Sequence, residues 1–227
     1  DILENAAFTL RLGEGEGPEA LEPRLLACGY RRSDMVEGPG QFSRRGGILD
    51  IFSPGAERPV RAEFWGDEID SMGFFDPESQ RRTQPLDACR ILPAAETLPP
   101  LYPGGSAALG EQLQKIAQRT AAKKDNDTAQ KLAAALRADG EKLCNDCVLP
   151  AADRYMGFVY DAFATALDYL TPEAAVLIDQ PARCAERAKE YTAQLREDVS
   201  LLVRSGTMAA RAETFYEPFA DMMRRIQ

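Results

Sequence analysis

The sequence predicts an α+β two-layer domain with a mostly antiparallel sheet, followed by helices and part of a Rossmann-like α/β layer. Three observations carry that prediction. Short alternating runs punctuated by Gly and Pro fill positions 30–92. A Pro- and Gly-rich stretch, Pro93 to Gly105, then interrupts the chain. Beyond it, apolar residues recur at helical spacing. The expected division is a first domain over 1–95 and a second over 96–227.

Phe8 to Leu12 reads as a strand, and Gly13-Glu14-Gly15-Glu16-Gly17 as a flexible joint. Pro18 then opens a helix to Cys28 that Gly29 stops, in keeping with the preference for Pro at a helix start and Gly just past its end. Strands are expected around Tyr30–Met35, Gln41–Arg45, Gly47–Phe52, Pro59–Trp65 and Ile69–Phe75, with a last one from Ala88 to Leu92. Gly46-Gly47, Ser53-Pro54-Gly55 and Gly66-Asp67 supply turns between them. After the boundary, Leu109, Leu113, Ile116 and Thr120 define one amphipathic helix, which Lys123-Lys124-Asp125 breaks. A second helix begins at Asn126 or Asp127, with Ala129, Leu132, Ala133, Leu136 and Leu143 as its stripe. Phe163 to Tyr169 reads as a short helix, Ala174 to Ile178 as a buried strand, and Pro181 as the start of a helix to about Glu197. Val199 to Val203 is compatible with a further strand, and the chain turns helical again from Arg211. Strand, helix, strand is the order that suggests a parallel layer.

Composition excludes several classes. Of 227 residues, 44% are hydrophobic and 28% charged, which is ordinary for a soluble globular protein. No apolar run approaches the roughly 20 residues that span a bilayer, and no basic-then-apolar leader is present, so no membrane partner is expected. The chain opens on Asp1 instead of methionine and reads as a piece of something longer. A net charge of −9 disfavours nonspecific nucleic-acid binding, which needs a positive field. The stretch from Arg31 to Trp65 is locally slightly basic, and suits an acidic protein partner better than a phosphate backbone.

Five cysteines, an odd number, fit a reducing cytoplasm. Cys144 and Cys147 have the spacing of half a zinc site. A structural site wants four ligands, and with no histidine and the other cysteines scattered singly, free thiols are the simpler reading. Without histidine, triads and imidazole metal sites are excluded as well. Gly13-x-Gly15-x-Gly17 superficially resembles a phosphate loop, but Glu14 and Glu16 would repel an anion and the dinucleotide spacing is wrong. No enzyme activity and no cofactor are expected of this chain.

A binding face is the remaining reading. Side chains in a strand repeat every two residues, so Val60, Ala62 and Phe64 point one way and Arg61, Glu63 and Trp65 the other. On the strand Gln41–Arg45, Ser43 and Arg45 share a face, and Arg45 would join Arg61 and Trp65 if the strands lie close. Arginine and tryptophan are the residues that dominate interface hot spots. The alternative is that Trp65 packs under the helix and the arginines are merely solvated.

The run Pro39 to Phe52, then Pro59 to Ser71, then Phe75-Asp76 and Ser79-Gln80-Arg81, closely resembles the UvrB-homology module of bacterial transcription-repair coupling factor (Mfd). Leu167 to Leu170 and Val176 to Arg183 resemble a later piece of the same family. UvrB itself is the close relative. The spacing of Phe75-Asp76 and Gln80 is of the coupling-factor type, and Asp179-Gln180-Pro181 stands where UvrB carries an ATPase-type acidic motif. Gln180 also departs from the glutamate usual in coupling factors, which implies a degenerate helicase-like domain that no longer hydrolyses ATP. The resemblance implies an adaptor that recruits UvrA to lesion-stalled RNA polymerase during nucleotide excision repair. Its UvrA-contacting positions fall on Arg45, Arg61 and Trp65, the last commonly phenylalanine in the family. Other domains of the same protein are further expected partners, with RNA polymerase and DNA reached only through domains outside this chain. A UvrB-type nucleotide-dependent damage-verification subunit and a purely structural intramolecular domain are the alternatives.

Overall fold

Alternation in the first half becomes a paired sheet in the computed structural model, which describes residues 2–122, 126–145, 147–209 and 216–226. The chain divides into two units, Asp1–Pro100 and Leu101–Gln227. In the first, a short helix α1 (Ile2–Ala6) leads into β1 (Phe8–Arg11) and helix α2 (Pro18–Ala27). There follow β2 (Arg31–Arg32), β3 (Gln41–Arg45), β4 (Ile48–Phe52), β5 (Val60–Trp65), β6 (Glu68–Phe75), β7 (Arg82–Pro85) and β8 (Ala88–Ile91). Strands β2 to β7 form a six-stranded sheet in sequential order, antiparallel throughout except for the β2–β3 pair, while β1 and β8 pair separately.

One face of the sheet is packed on α2. Phe42, Leu49, Ile51, Val60, Ala62 and Met72 meet Leu21 and Leu25 of the helix, with Tyr30 buried beside them. Arg44, on the same face as Phe42, ties sheet to helix through Glu22, its Nε 2.8 Å from Oε2. The opposite face carries a smaller cluster of Val36, Phe52 and Phe75, beside the polar row Ser43, Asp50 and Arg61. Between β5 and β6 the register shifts at Glu63/Phe64, so Ser71 and Ile69 are successive partners and Asp70 is bulged. Such a bulge sharpens the local twist of the hairpin.

The second unit is built on α3 (Gly105–Ala121) and α4 (Asp127–Cys144), followed by a single turn α5 (Met156–Val159), a long α6 (Pro181–Arg204) and α7 (Phe219–Ile226). Leu109, Leu113 and Ala117 pack on Ala133, Leu136 and Leu143, as the two apolar stripes predict. Asn126 caps α4, its side-chain oxygen accepting from the Ala129 amide at 2.9 Å. A polar trio around the buried Asp139 closes this core. Tyr155 donates to Asp139 Oδ2 at 2.5 Å and Arg154 Nη2 lies 2.8 Å from the same oxygen. Burial, followed by the hydrogen bond to Asp139, pushes the Tyr155 hydroxyl far above its ordinary pKa.

Several local expectations are corrected. Residues 174–178 form no strand and lie largely at the surface, with Leu177 94% exposed. An apolar run becomes a buried parallel strand only where neighbours complete its hydrogen bonding, and no strand follows Ile91 among the described residues. Val199 to Val203 continues α6 instead of forming a strand. Leu195, Val199 and Leu202 keep the helical spacing, and each added residue gains a backbone hydrogen bond once the helix is nucleated. The Rossmann-like order is therefore not formed among these residues. Phe163 to Tyr169 contributes only a 3-10 turn, Ala166–Tyr169. The break at 123–125 and the start of the last helix at Arg211 fall outside the described residues. Strand β7 was not expected from sequence: Arg82-Thr83-Gln84-Pro85 is exposed along its whole length and has no apolar alternation to betray it.

Candidate protein-interaction face

The polar face of the sheet is organised by one buried carboxylate. Strand register sets Ser43, Asp50 and Arg61 side by side on β3, β4 and β5, with Arg45 two pairs further along β3 opposite Ile48. Asp50 is 1% exposed. A carboxylate that far from water needs cationic partners, and it has two. Arg61 grips it with both edges of its fork, Nε to Oδ1 at 2.6 Å and Nη2 to Oδ2 at 2.8 Å. Arg45 Nη2 donates to Oδ2 at 2.8 Å. The arginines of two non-adjacent strands thus meet through the strand between them.

Arg61 is held from the far side as well. Its Nη1 donates to the Gln80 carbonyl at 3.1 Å and its Nη2 to Gln80 Oε1 at 3.0 Å, while the guanidinium carbon stacks 4.5 Å from the Phe75 ring centre. Its side chain is 14% exposed, and the Asp50 hydrogen bond raises its pKa further above the ordinary arginine value. Four of these contacts are hydrogen bonds from a group that has five N–H donors. Gln80 is itself fixed in a left-handed conformation, φ 59°, by its amide donating to the Asp76 carbonyl at 2.8 Å. Asp76 Oδ1 accepts from both the amide and the hydroxyl of Ser79 at 2.7 Å, and the amide bond is the main cause holding its carboxyl below the usual value of 3.8.

Of the three residues singled out in the sequence, Arg45 and Trp65 are the exposed ones. The Arg45 side chain is 47% exposed and makes a single bond, to Asp50, among the described residues. Trp65 is 85% exposed at the end of β5, so it does not pack beneath the helix. Glu63, two residues before it, pairs with Ile48, which in turn lies opposite Arg45, so both side chains belong to the hairpin end of the sheet.

Sequence reasoning grouped Arg45, Arg61 and Trp65 but missed what binds them. Asp50 and Gln80 are the residues it passed over. Asp50 had a signal: a lone carboxylate inside Ile48-Leu49-Asp50-Ile51-Phe52, on the alternation face of two neighbouring arginines. Gln80 had none, because its contact depends on a left-handed turn residue reaching back across a strand.

The supposed joint at Gly13–Gly17 is also corrected. Its residues are bonded to the β5–β6 hairpin. Gly13 N donates to the Ile69 carbonyl at 2.9 Å, Ile69 N to the Glu14 carbonyl at 3.2 Å, and Gly17 N to the Asp67 carbonyl at 3.1 Å.

Among the described residues no group of three or more acidic or sulfur side chains is placed to hold a metal, and no helix is long and apolar enough to cross a membrane. Cys144 ends α4 as a free, exposed thiol and Cys147 is likewise free.

A helix-backed, mostly antiparallel sheet with an exposed tryptophan and a braced arginine pair defines an α+β domain with a candidate interaction face. Residues 8–96 match the family model of the UvrB interaction domain. Over most of its length the chain is similar to transcription-repair-coupling factors: that of Myxococcus xanthus is 34% identical over 190 residues, covering 79% of this chain and 14% of the relative. That of Mycobacterium tuberculosis is 34% identical over 197 residues, 84% of this chain and 15% of the relative. That of Bacillus subtilis is 29% identical over 207 residues, 91% and 17% respectively. The chain thus spans 14% to 17% of the length of these relatives.

Proposed function

We propose that this chain serves transcription-coupled nucleotide excision repair as an adaptor whose UvrB interaction domain recruits UvrA. The observation that carries the reading is the exposure of Trp65 at the same sheet end as a half-exposed Arg45, within a domain of this family. Trp65 supplies a large rigid apolar anchor, and Arg45 keeps donors for a carboxylate on the partner. Arg61 contributes from behind: its charge belongs to the face, while most of its hydrogen bonds are spent inside the domain. The DNA motor and the RNA polymerase contacts of such a factor are assigned to parts of the protein outside this chain, as is any ATP hydrolysis.

The test is calorimetric titration of the chain and of Trp65→Ala and Arg45→Ala against UvrA at moderate salt. Each variant should bind at least about tenfold more weakly, the loss of about 1.4 kcal/mol typical of a hot-spot residue. Full affinity in both variants, or no binding by the unaltered chain, would remove the adaptor reading.

A further inference from the structure

We infer that the Gly13–Gly17 segment is a positioning strap for the hairpin that carries Trp65, with Gly15 its indispensable residue. The inference rests on the reading of Trp65 as a contact residue and adds the element that holds it in place.

The turn Gly66-Asp67 closes β5 and β6 immediately after Trp65. A projecting hairpin tip frays unless something packs on it. Here three backbone hydrogen bonds run between the strap and this hairpin, at Ile69 and Asp67. The approach is closer than any side chain would allow: a Cβ on Gly15 would lie 2.3 Å from the Asp67 carbonyl oxygen and 3.5 Å from the Phe64 ring. The opposing atom is backbone, so it cannot rotate away. Gly13 and Gly17 are needed for a different reason, as both adopt positive φ, 76° and 79°. Every glycine of the motif therefore has a geometric cause, and the intervening Glu14 and Glu16 are exposed.

The consequence for binding is entropic. An anchor already fixed on its hairpin loses less freedom when a partner closes over it, and affinity rises without any new contact. Lifting the strap should therefore remove the contribution of Trp65 while leaving that of Arg45, which is fixed separately through Asp50.

The experiment uses Gly15→Ala in the full chain, with UvrA as titrant. Trp65 is the sole tryptophan, so its fluorescence anisotropy reports the hairpin directly. Anisotropy should fall and UvrA affinity should drop about tenfold, the size of a lost hot-spot anchor. Adding Trp65→Ala to Gly15→Ala should then cost less than about twofold, whereas Arg45→Ala should retain its full effect. Where Gly15→Ala fails to fold by circular dichroism, a glycine inserted after Gly15 shifts the strap without adding bulk and takes the same measurements. Unchanged anisotropy and affinity, or an undiminished cost of Trp65→Ala in the altered background, would overturn the strap. Absence of binding by the unaltered chain would instead overturn the adaptor reading beneath it.

Discussion

Asp50 sets the energetics of the face, because a buried charge is far more costly to strand than to keep paired. Removing Arg61 would leave its carboxylate with Arg45 alone. Breaking a buried pair typically costs roughly 3–5 kcal/mol, and the retained Arg45 bond puts Arg61→Ala at the lower end, about 3 kcal/mol. Arg45→Ala removes one bond from a half-exposed side chain and should destabilise by less than about 1 kcal/mol. Urea unfolding followed by far-UV circular dichroism distinguishes the two. Equal midpoints for both variants would refute the division of labour between them. It also follows that lost UvrA binding by Arg61→Ala would be ambiguous, whereas Arg45→Ala reports the contact itself. At this scale the sequence was readable wherever alternation operates. It put Val60 and Ala62 on the core face, and both are buried, while Trp65 at the strand end is exposed. It could not show that Arg61 is turned inward, because that depends on Asp50 one strand away and Gln80 in a left-handed turn.

At the scale of elements, a close backbone contact shapes the α3–α4 hairpin as another does the strap. A Cβ on Gly110 would lie 2.7 Å from the Gly140 carbonyl oxygen, and one on Gly140 2.8 Å from that of Gly110. Alanine at either position gains roughly 1 kcal/mol of helix propensity over glycine. Forcing the helices apart costs on the order of 1–3 kcal/mol, and since the opposing atom is backbone, separation wins. Gly140→Ala should therefore lower the melting temperature read at 222 nm, and a higher one would show that the hairpin can open freely. The stripes on both helices were plain in sequence, and the start of the second was placed at Asn126 or Asp127, where Asn126 proves to be the cap. The two strands expected at 174–178 and 199–203 were not there, for one reason: a short apolar run does not state its period. In the second run, neighbouring residues extend the helix. In the first, no described strand offers it an edge.

At the scale of the whole chain, the first unit carries the means to stand alone. Its first and last strands pair, Phe8 with Ile91 and Arg11 with Ala88, so the ends of the unit are stitched together. Tyr30 Oη donates to the Leu92 carbonyl at 2.7 Å and Ala94 N to the Cys28 carbonyl at 2.8 Å, which fastens the exit of the unit to the end of α2. Phe8, Leu10 and Ile91 enter the same core as Leu25, Leu49 and Ile51, so that core is complete within Asp1–Pro100. A domain of this size buries more than about 60% of the surface its unfolded chain exposes, enough for independent folding. Every residue of the proposed face, with Asp50, Gln80 and the strap, lies inside it. A polypeptide of residues 1–100 should therefore unfold in a single cooperative transition by far-UV circular dichroism. It should bind UvrA within about twofold of the longer chain, the scatter expected when the remaining residues act independently. Cooperative folding with binding lost would place part of the contact in residues 101–227. A non-cooperative transition would mean that the stitched strands do not close the core by themselves, since the burial seen here would then depend on residues beyond Pro100.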